Sequence, residues 1–265
     1  MIFIRDEGEG EPLVLIHGLG ASHRVFDALY QAYGARHRIV AVDLPRAGKS
    51  GPWAKLQPSA IAERLADTLA QRRVERFRLF GHSFGGLVAL ALAGQWPLRI
   101  TSLSVASTPA FGLPGEVKPL LESALASLPD RWLSNAPVPT ALVRPYLRWI
   151  WGTRAPLSEA VVQDHLEAVR TPRFVVGLVE ALRGIGEFRL ERAFDAATFP
   201  RRVLWGEKDP LLGSIIGERV AQAIGAELRV LNEVGHCVPL EHPHAVYASL
   251  FSEAELRARS PTGFP

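Results

Sequence analysis

The sequence predicts an α/β protein: a mostly parallel, doubly wound sheet interrupted by an inserted helical cap. Three observations carry that expectation. Short continuous apolar runs, such as Leu13-Val14-Leu15-Ile16 and Ile39-Val40-Ala41-Val42, alternate with helix-like segments, as in parallel strands buried on both faces with helices covering them. The alternation stops between about residues 108 and 198. Finally, Gly81-His82-Ser83-Phe84-Gly85 lies between the apolar run 77–80 and the small-residue stretch 87–93, which reads as strand, sharp turn and helix with a serine on the turn.

Taken in order, the runs ending at Gly18 and Asp43 are the first two strands of the pattern, and runs at 77–80, 100–106, 202–205 and 227–231 supply the others. Helix-like segments fall at 23–34, 59–73, 84–95, 213–224 and 243–257. The second opens at Pro58-Ser59, a helix-start signal. From 108 to 198 nine prolines punctuate the chain, and apolar residues recur at helical spacing. Leu142, Tyr146 and Trp149, with Val143 and Ile150, mark one such face. This stretch is read as a cap, 108–198, inserted after the sixth strand into a core of 1–107 and 199–265. Its ten Lys/Arg and ten Asp/Glu between 110 and 195 leave it no net charge with which to recruit a polyanion. Trp132, Trp149 and Trp151 are either pocket lining or cap core. The tail from Ser260 to Pro265 is expected to fray.

Composition bounds the function. A chain of 265 residues with 48% hydrophobic and 22% charged residues buries one large core. A formal net charge of +3 without a basic run argues against nucleic acid as a partner. No apolar stretch reaches membrane-spanning length, and Met1–Glu7 lacks the basic and apolar regions of a secretory signal. The lone Cys237 permits neither an intramolecular disulfide nor a Cys-based zinc site. The expectation is a cytoplasmic protein that acts on a small molecule without cofactor or metal, its oligomeric state open.

A serine hydroxyl is a poor nucleophile until a base takes its proton, and that base needs a carboxylate to fix its tautomer and stabilise its charge. Of eight histidines, His236 is the expected base, because Val234-Gly235-His236-Cys237 is a glycine-marked loop between a strand-like run and a helix. His17 is expected to pack under the neighbouring loop, and His82 to point away from Ser83. His23, His37, His165, His242 and His244 read as cap or surface residues. For the acid, Asp209 follows the strand 202–205 in Trp205-Gly206-Glu207-Lys208-Asp209-Pro210, at a strand's carboxyl end where open parallel sheets place their ligands. Glu207 is its competitor, and Asp43 reads as a loop-stabilising carboxylate. Two N–H donors, of Leu19 and of Phe84, are expected to form the oxyanion hole. Leu19, Phe84, Leu211, Val238 and Trp149 are the candidates for the substrate pocket.

The chain resembles the α/β-hydrolase fold family. The matching pieces are His17-Gly18-Leu19-Gly20, Asp43-Leu44-Pro45-Arg46-Ala47-Gly48-Lys49-Ser50, Gly81-His82-Ser83-Phe84-Gly85-Gly86, Gly206-Glu207-Lys208-Asp209 and Gly235-His236. One departure stands out: Arg46 occupies the place where the family's loop has its first glycine, and Ala47 precedes Gly48. The resemblance implies a cofactor-free hydrolase with a lid-like cap, acting on esters, lactones, thioesters, amides, epoxides or C–C bonds. A serine at the elbow disfavours the epoxide and haloalkane branches, which use aspartate there. The leading expectation is a serine carboxylesterase with Ser83, Asp209 and His236 as its triad. The alternatives are a C–C bond hydrolase, a proline iminopeptidase-like enzyme with Glu180, Glu187 or Glu191 receiving an amine, and a non-catalytic small-molecule receptor.

Overall fold

Side chains along the central strands alternate between two apolar surroundings, and that alternation builds the layers. In a computed structural model describing residues 1–51, 56–112, 139–170, 174–190, 194 and 197–258, the strands are β1 (Ile4–Glu7), β2 (Pro12–Ile16), β3 (Arg38–Val42), β4 (Phe77–His82), β5 (Ile100–Ala106), β6 (Arg201–Gly206) and β7 (Glu227–Leu231). They form one sheet in the order β1-β3-β2-β4-β5-β6-β7. β1 runs antiparallel to β3, and every other neighbouring pair is parallel. Val14, Ile16, Val40 and Val42 enter one core cluster, against helices α2 (Pro58–Gln71) and α3 (Phe84–Gln95). Leu13, Leu15, Ile39 and Ala41 enter the other, with Phe26, Leu29 of α1 (Asp27–Tyr33), Val246 and Phe251. The period of two thus buries both faces of the sheet.

Between β5 and β6 the described residues form helices, chiefly α4 (Val143–Ile150), α5 (Glu159–Val169) and α6 (Phe174–Glu187). The insertion point therefore follows the fifth strand in the chain, not the sixth: only β1 precedes the first apolar run. β1 itself went unread, although buried Ile2 and Ile4 alternate with more exposed neighbours. The last strand also differs from the expectation of burial on both faces. β7 lies at the sheet edge with Val230 42% exposed, consistent with the charged Glu227 and Arg229 in its sequence. Trp132, Glu191 and the tail from Ser260 lie outside the described residues.

The expected helix over 243–257 is two helices, Pro243–Ser249 and Glu253–Ala258. Ser252 breaks it by capping the second. The Glu255 backbone N–H donates to Ser252 Oγ at 3.3 Å, and the Ser252 N–H donates back to the Glu255 carboxylate at 2.7 Å, a reciprocal capping box. The same carboxylate pairs with Arg78 of β4, which ties the chain's last described helix to the sheet. Ser252→Ala should remove about 1 kcal/mol of stability and lower Tm by about 2–4 °C, read by a thermal melt, with no change in activity.

Candidate active site

The loops after β4, β6 and β7 bring the expected residues together. Ser83 sits between β4 and α3 with φ 52° and ψ −122°, a conformation costing a non-glycine residue about 1–3 kcal/mol. Close packing enforces it. A Cβ on Gly85 would fall 2.2 Å from the His17 carbonyl oxygen, and one on Gly81 would fall 2.5 Å from that of Gly85. The Ser83 N–H donates to the Ala106 carbonyl at 2.8 Å, anchoring the turn to β5.

His236 lies beside this serine, 6% exposed, with Nε2 3.2 Å from Ser83 Oγ and Nδ1 2.9 Å from Asp209 Oδ2. An ionised carboxylate can only accept, so Nδ1 carries the proton and the Nε2 lone pair faces the serine. The other Asp209 oxygen accepts from the Leu211 and Leu212 N–H groups at 3.0 and 3.1 Å. Burial pushes the Asp209 carboxyl up, but His236 and these hydrogen bonds prevail and hold it below the ordinary carboxylate range. Glu207 is half-exposed and accepts from the Glu233 N–H at 3.1 Å, away from the histidine.

The loop after β2 runs against the serine: a Cβ on Gly18 would fall 3.0 Å from Ser83 Cβ. Phe84 opens α3, so its N–H belongs to the helix's unpaired first turn. His17 is fully buried and accepts the Leu44 N–H at 3.0 Å through Nε2. Asp43 is likewise buried, accepting from the His23 N–H and Nδ1 at 2.7 and 2.9 Å and from the Lys49 N–H at 2.8 Å. These contacts overcome the upward push of burial and lower its pKa. His23 and His37, read as surface or cap residues, are buried, His23 by this carboxylate and His37 beside the Tyr247 hydroxyl.

Arg46 adopts φ 64° without being glycine. Its side chain packs where Gly177 of α6 leaves room and pairs with Glu180 at 3.5 Å. A cavity beside this loop is lined by Leu19, Leu44, Arg46, Phe174 and Leu178, among others. Of the expected pocket residues, Leu19 lines it. Phe84 and Val238 are buried in the two core clusters, and half-buried Leu211 packs between the core and α4. Trp149 is 56% exposed beside Tyr146, on the side of α4 opposite its buried Val143, Leu147 and Ile150. Trp151 donates its indole N–H to the Ala155 carbonyl. Among the described carboxylates of the stretch, Glu187 accepts from Gln57 at 2.8 Å.

His82, expected only to point away from Ser83, also holds the main chain of His236. Its Nε2–H donates to the His236 carbonyl at 2.8 Å, and burial with the neighbouring His236 pushes its pKa down to about 3, so it stays neutral. Ser107, at φ 45° after β5, lies beside Asp209 and contributes to lowering its pKa. The run Ser107-Thr108 closing an apolar strand was the available signal. Among the described residues, no helix is long and apolar enough to cross a membrane and no cluster of three or more His, Cys, Asp or Glu could hold a metal ion.

Comparison with known proteins gives relatives across nearly the whole length. The chain is 27% identical over 245 residues to the dihydrolipoyllysine-residue acetyltransferase component of the acetoin cleaving system of Pseudomonas putida, over 88% of this chain and 60% of that protein. It thus spans less than two thirds of that relative's length. It is 26% identical over 259 residues to a 2-hydroxy-6-oxononadienedioate/2-hydroxy-6-oxononatrienedioate hydrolase of a Pseudomonas species, covering 91% of this chain and 87% of the other. A thermophilic esterase from Thermogutta terrifontis shares the fold at TM-score 0.74 and 23% identity, over 97% of this chain and 93% of that one. The alpha/beta hydrolase family model matches residues 13–249, and the chain belongs to that family.

Proposed function

We propose that the protein is a cofactor-independent serine hydrolase that cleaves carboxylic esters of small to medium apolar substrates through an acyl-enzyme on Ser83. The observation supporting this most directly is the unbroken relay from Asp209 to His236 Nδ1 at 2.9 Å and from His236 Nε2 to Ser83 Oγ at 3.2 Å. In this reading His236 takes the Ser83 proton as Oγ attacks the ester carbonyl carbon. The carbonyl oxygen gains the negative charge and is held by the N–H groups of Leu19 and Phe84. Collapse expels the alcohol, which receives the proton from His236, and a water deprotonated by the same histidine releases the acid. The stretch 108–198 serves as the cap over a core of 1–107 and 199–265. The narrow cleft lined by Leu19, Leu44, Arg46, Phe174 and Leu178, next to the loop that approaches Ser83, is where this reading directs the acyl group.

The likeness to the 2-hydroxy-6-oxo hydrolase favours a second reading, in which the same site hydrolyses a carbon–carbon bond beside a carbonyl. A panel of activated esters alongside a vinylogous 1,5-diketo acid separates the two: the first reading requires the larger kcat/KM on esters.

Ser83→Ala and His236→Ala should each lower kcat for an activated ester by about a millionfold, and Asp209→Asn by about ten-thousandfold, with the fold unchanged by circular dichroism. A serine-directed phosphonate should label Ser83 stoichiometrically. Retention of wild-type turnover by Ser83→Ala would remove the nucleophile from the scheme.

Activity should be indifferent to EDTA. kcat/KM should rise as pH goes from acid to neutral, because a general base must be neutral to accept a proton. Asp209, held below the usual range, and His82, neutral above about 3, do not titrate there. A flat profile between about pH 5 and 8 on a chemistry-limited substrate contradicts this.

Short and medium acyl chains should be preferred. Each buried methylene contributes only about 0.8 kcal/mol, so selectivity must come from where the cavity ends. A rate that rises steadily to palmitoyl esters, with activation at an interface, would refute it.

A further inference from the structure

We propose that Glu241 is a positioning residue for His236, clamping the main chain of the base to the foot of α4 through three backbone N–H groups. The proposal rests on the reading of His236 as the base. Glu241 ends a four-residue helix, Val238–Glu241, five residues after His236, and is only 4% exposed. Its Oε2 accepts the N–H of Gly235 at 2.9 Å and that of Gly152 at 2.7 Å, and its Oε1 accepts the N–H of Cys237 at 3.1 Å. The carboxylate therefore grips the residues on either side of the base and, with the same oxygen, the segment that leaves α4. Burial pushes the Glu241 carboxyl up, and the three backbone N–H groups that replace its water oppose that push.

Two further contacts complete the hold on His236 itself. Its N–H donates to the Ile150 carbonyl at 2.7 Å, and its carbonyl accepts from His82 Nε2 at 2.8 Å. At Gly152 and Gly235 the two main chains touch directly. A Cβ on Gly235 would fall 2.3 Å from the Ile150 carbonyl oxygen, and one on Gly152 would fall 2.2 Å from that of Glu233. The N–H groups of Thr153 and Arg154 then donate to the Glu233 carbonyl at 2.8 and 2.9 Å. The seam between 150–154 and 233–237 is thus mainly backbone, with a Thr153–Glu233 side-chain hydrogen bond at its exposed end, and Glu241 is the buried side chain that bridges it. Loss of the carboxylate leaves three buried donors without their acceptor and frees the loop to shift, and a displacement of about 1 Å at a reacting group costs about 100-fold in rate.

The test compares Glu241→Ala and Glu241→Gln with the wild-type chain by ester kinetics and by amide hydrogen exchange over 150–154 and 233–238. Glu241→Ala should lower kcat about 100-fold with KM within about threefold. Glu241→Gln keeps one acceptor oxygen and should lose about 10-fold. In both, protection should fall together in the two segments while β2 to β6 stay protected. If Glu241→Ala does not fold, the glutamine variant decides alone. Wild-type kcat in a folded variant, or loss of protection in 233–238 without loss in 150–154, overturns the clamp. If the wild-type chain hydrolyses no ester, or Ser83→Ala is as active as wild type, the reading of His236 fails instead. The exchange data then decide the clamp on their own.

Discussion

One backbone turn organises the molecule: the strained residue Ser83, at φ 52° between β4 and α3. A turn that tight presents its Oγ only if nothing larger than hydrogen stands on either side, and Gly81 and Gly85 meet carbonyl oxygens at distances no Cβ could occupy. The strain is affordable because β4 is central. β2 and β5 flank it in parallel, and every residue from Phe77 to His82 is buried. The neighbouring strands then deliver the rest, since parallel strands end on the same side of a sheet. β2 ends in the loop against Ser83, β5 in Ser107 beside Asp209, and β6 in the turn that carries Asp209.

The fold holds two aspartate–histidine pairs of nearly the same geometry, which shows how little of a site lies in the pair itself. Asp43 and His23 meet at 2.9 Å, as do Asp209 and His236. Both carboxylates are buried, end a strand or its following turn, and are held below the ordinary range by their partners. The difference lies on the far side of the imidazole. His236 faces a serine hydroxyl at 3.2 Å, whereas Asp43 divides its bonds between His23 and the N–H of Lys49, closing the loop that contains Arg46. A Cβ on Gly48 would fall 2.1 Å from that carboxylate, so the loop is built around Asp43 as a structural anchor.

What was legible in the sequence follows from how local each signal is. The six apolar runs and the positions of Ser83, Asp209 and His236 could be read because each rests on a few neighbouring residues: an apolar run, a glycine pair, a strand-ending turn. β1 was missed because four residues with one buried position are too short a pattern. The break at Ser252 was missed because its capping box lies inside a longer helical periodicity. His82 was set aside as a neighbour of Ser83, and its partner lies 154 residues away. Arg46 looked like a departure because a left-handed residue is ordinarily glycine. The compensation, Gly177 and Glu180 one turn apart on α6, lies far along the chain. Contacts between distant segments leave no local trace.

The same distinction separates chemistry from selectivity. Ser83, Asp209 and His236 all stand on the sheet and its loops, and their geometry depends on short backbone contacts that tolerate little change. The cavity beside Leu19 has a mixed ancestry: Leu19 and Leu44 come from loops of the sheet, Phe174 and Leu178 from α6. Phe174 approaches a Cβ built on Gly20 to 3.8 Å, ordinary van der Waals contact, so that part of the wall has room to change, whereas Gly177 and Gly184 hold α6 closely to Arg46 and Leu56. Substitutions along α6 can therefore reshape the cavity while leaving the strained turn and the buried carboxylate as they are. In a family that uses one fold for many substrates, the proposed function directs the search for this chain's preference to the α6 wall of that cavity.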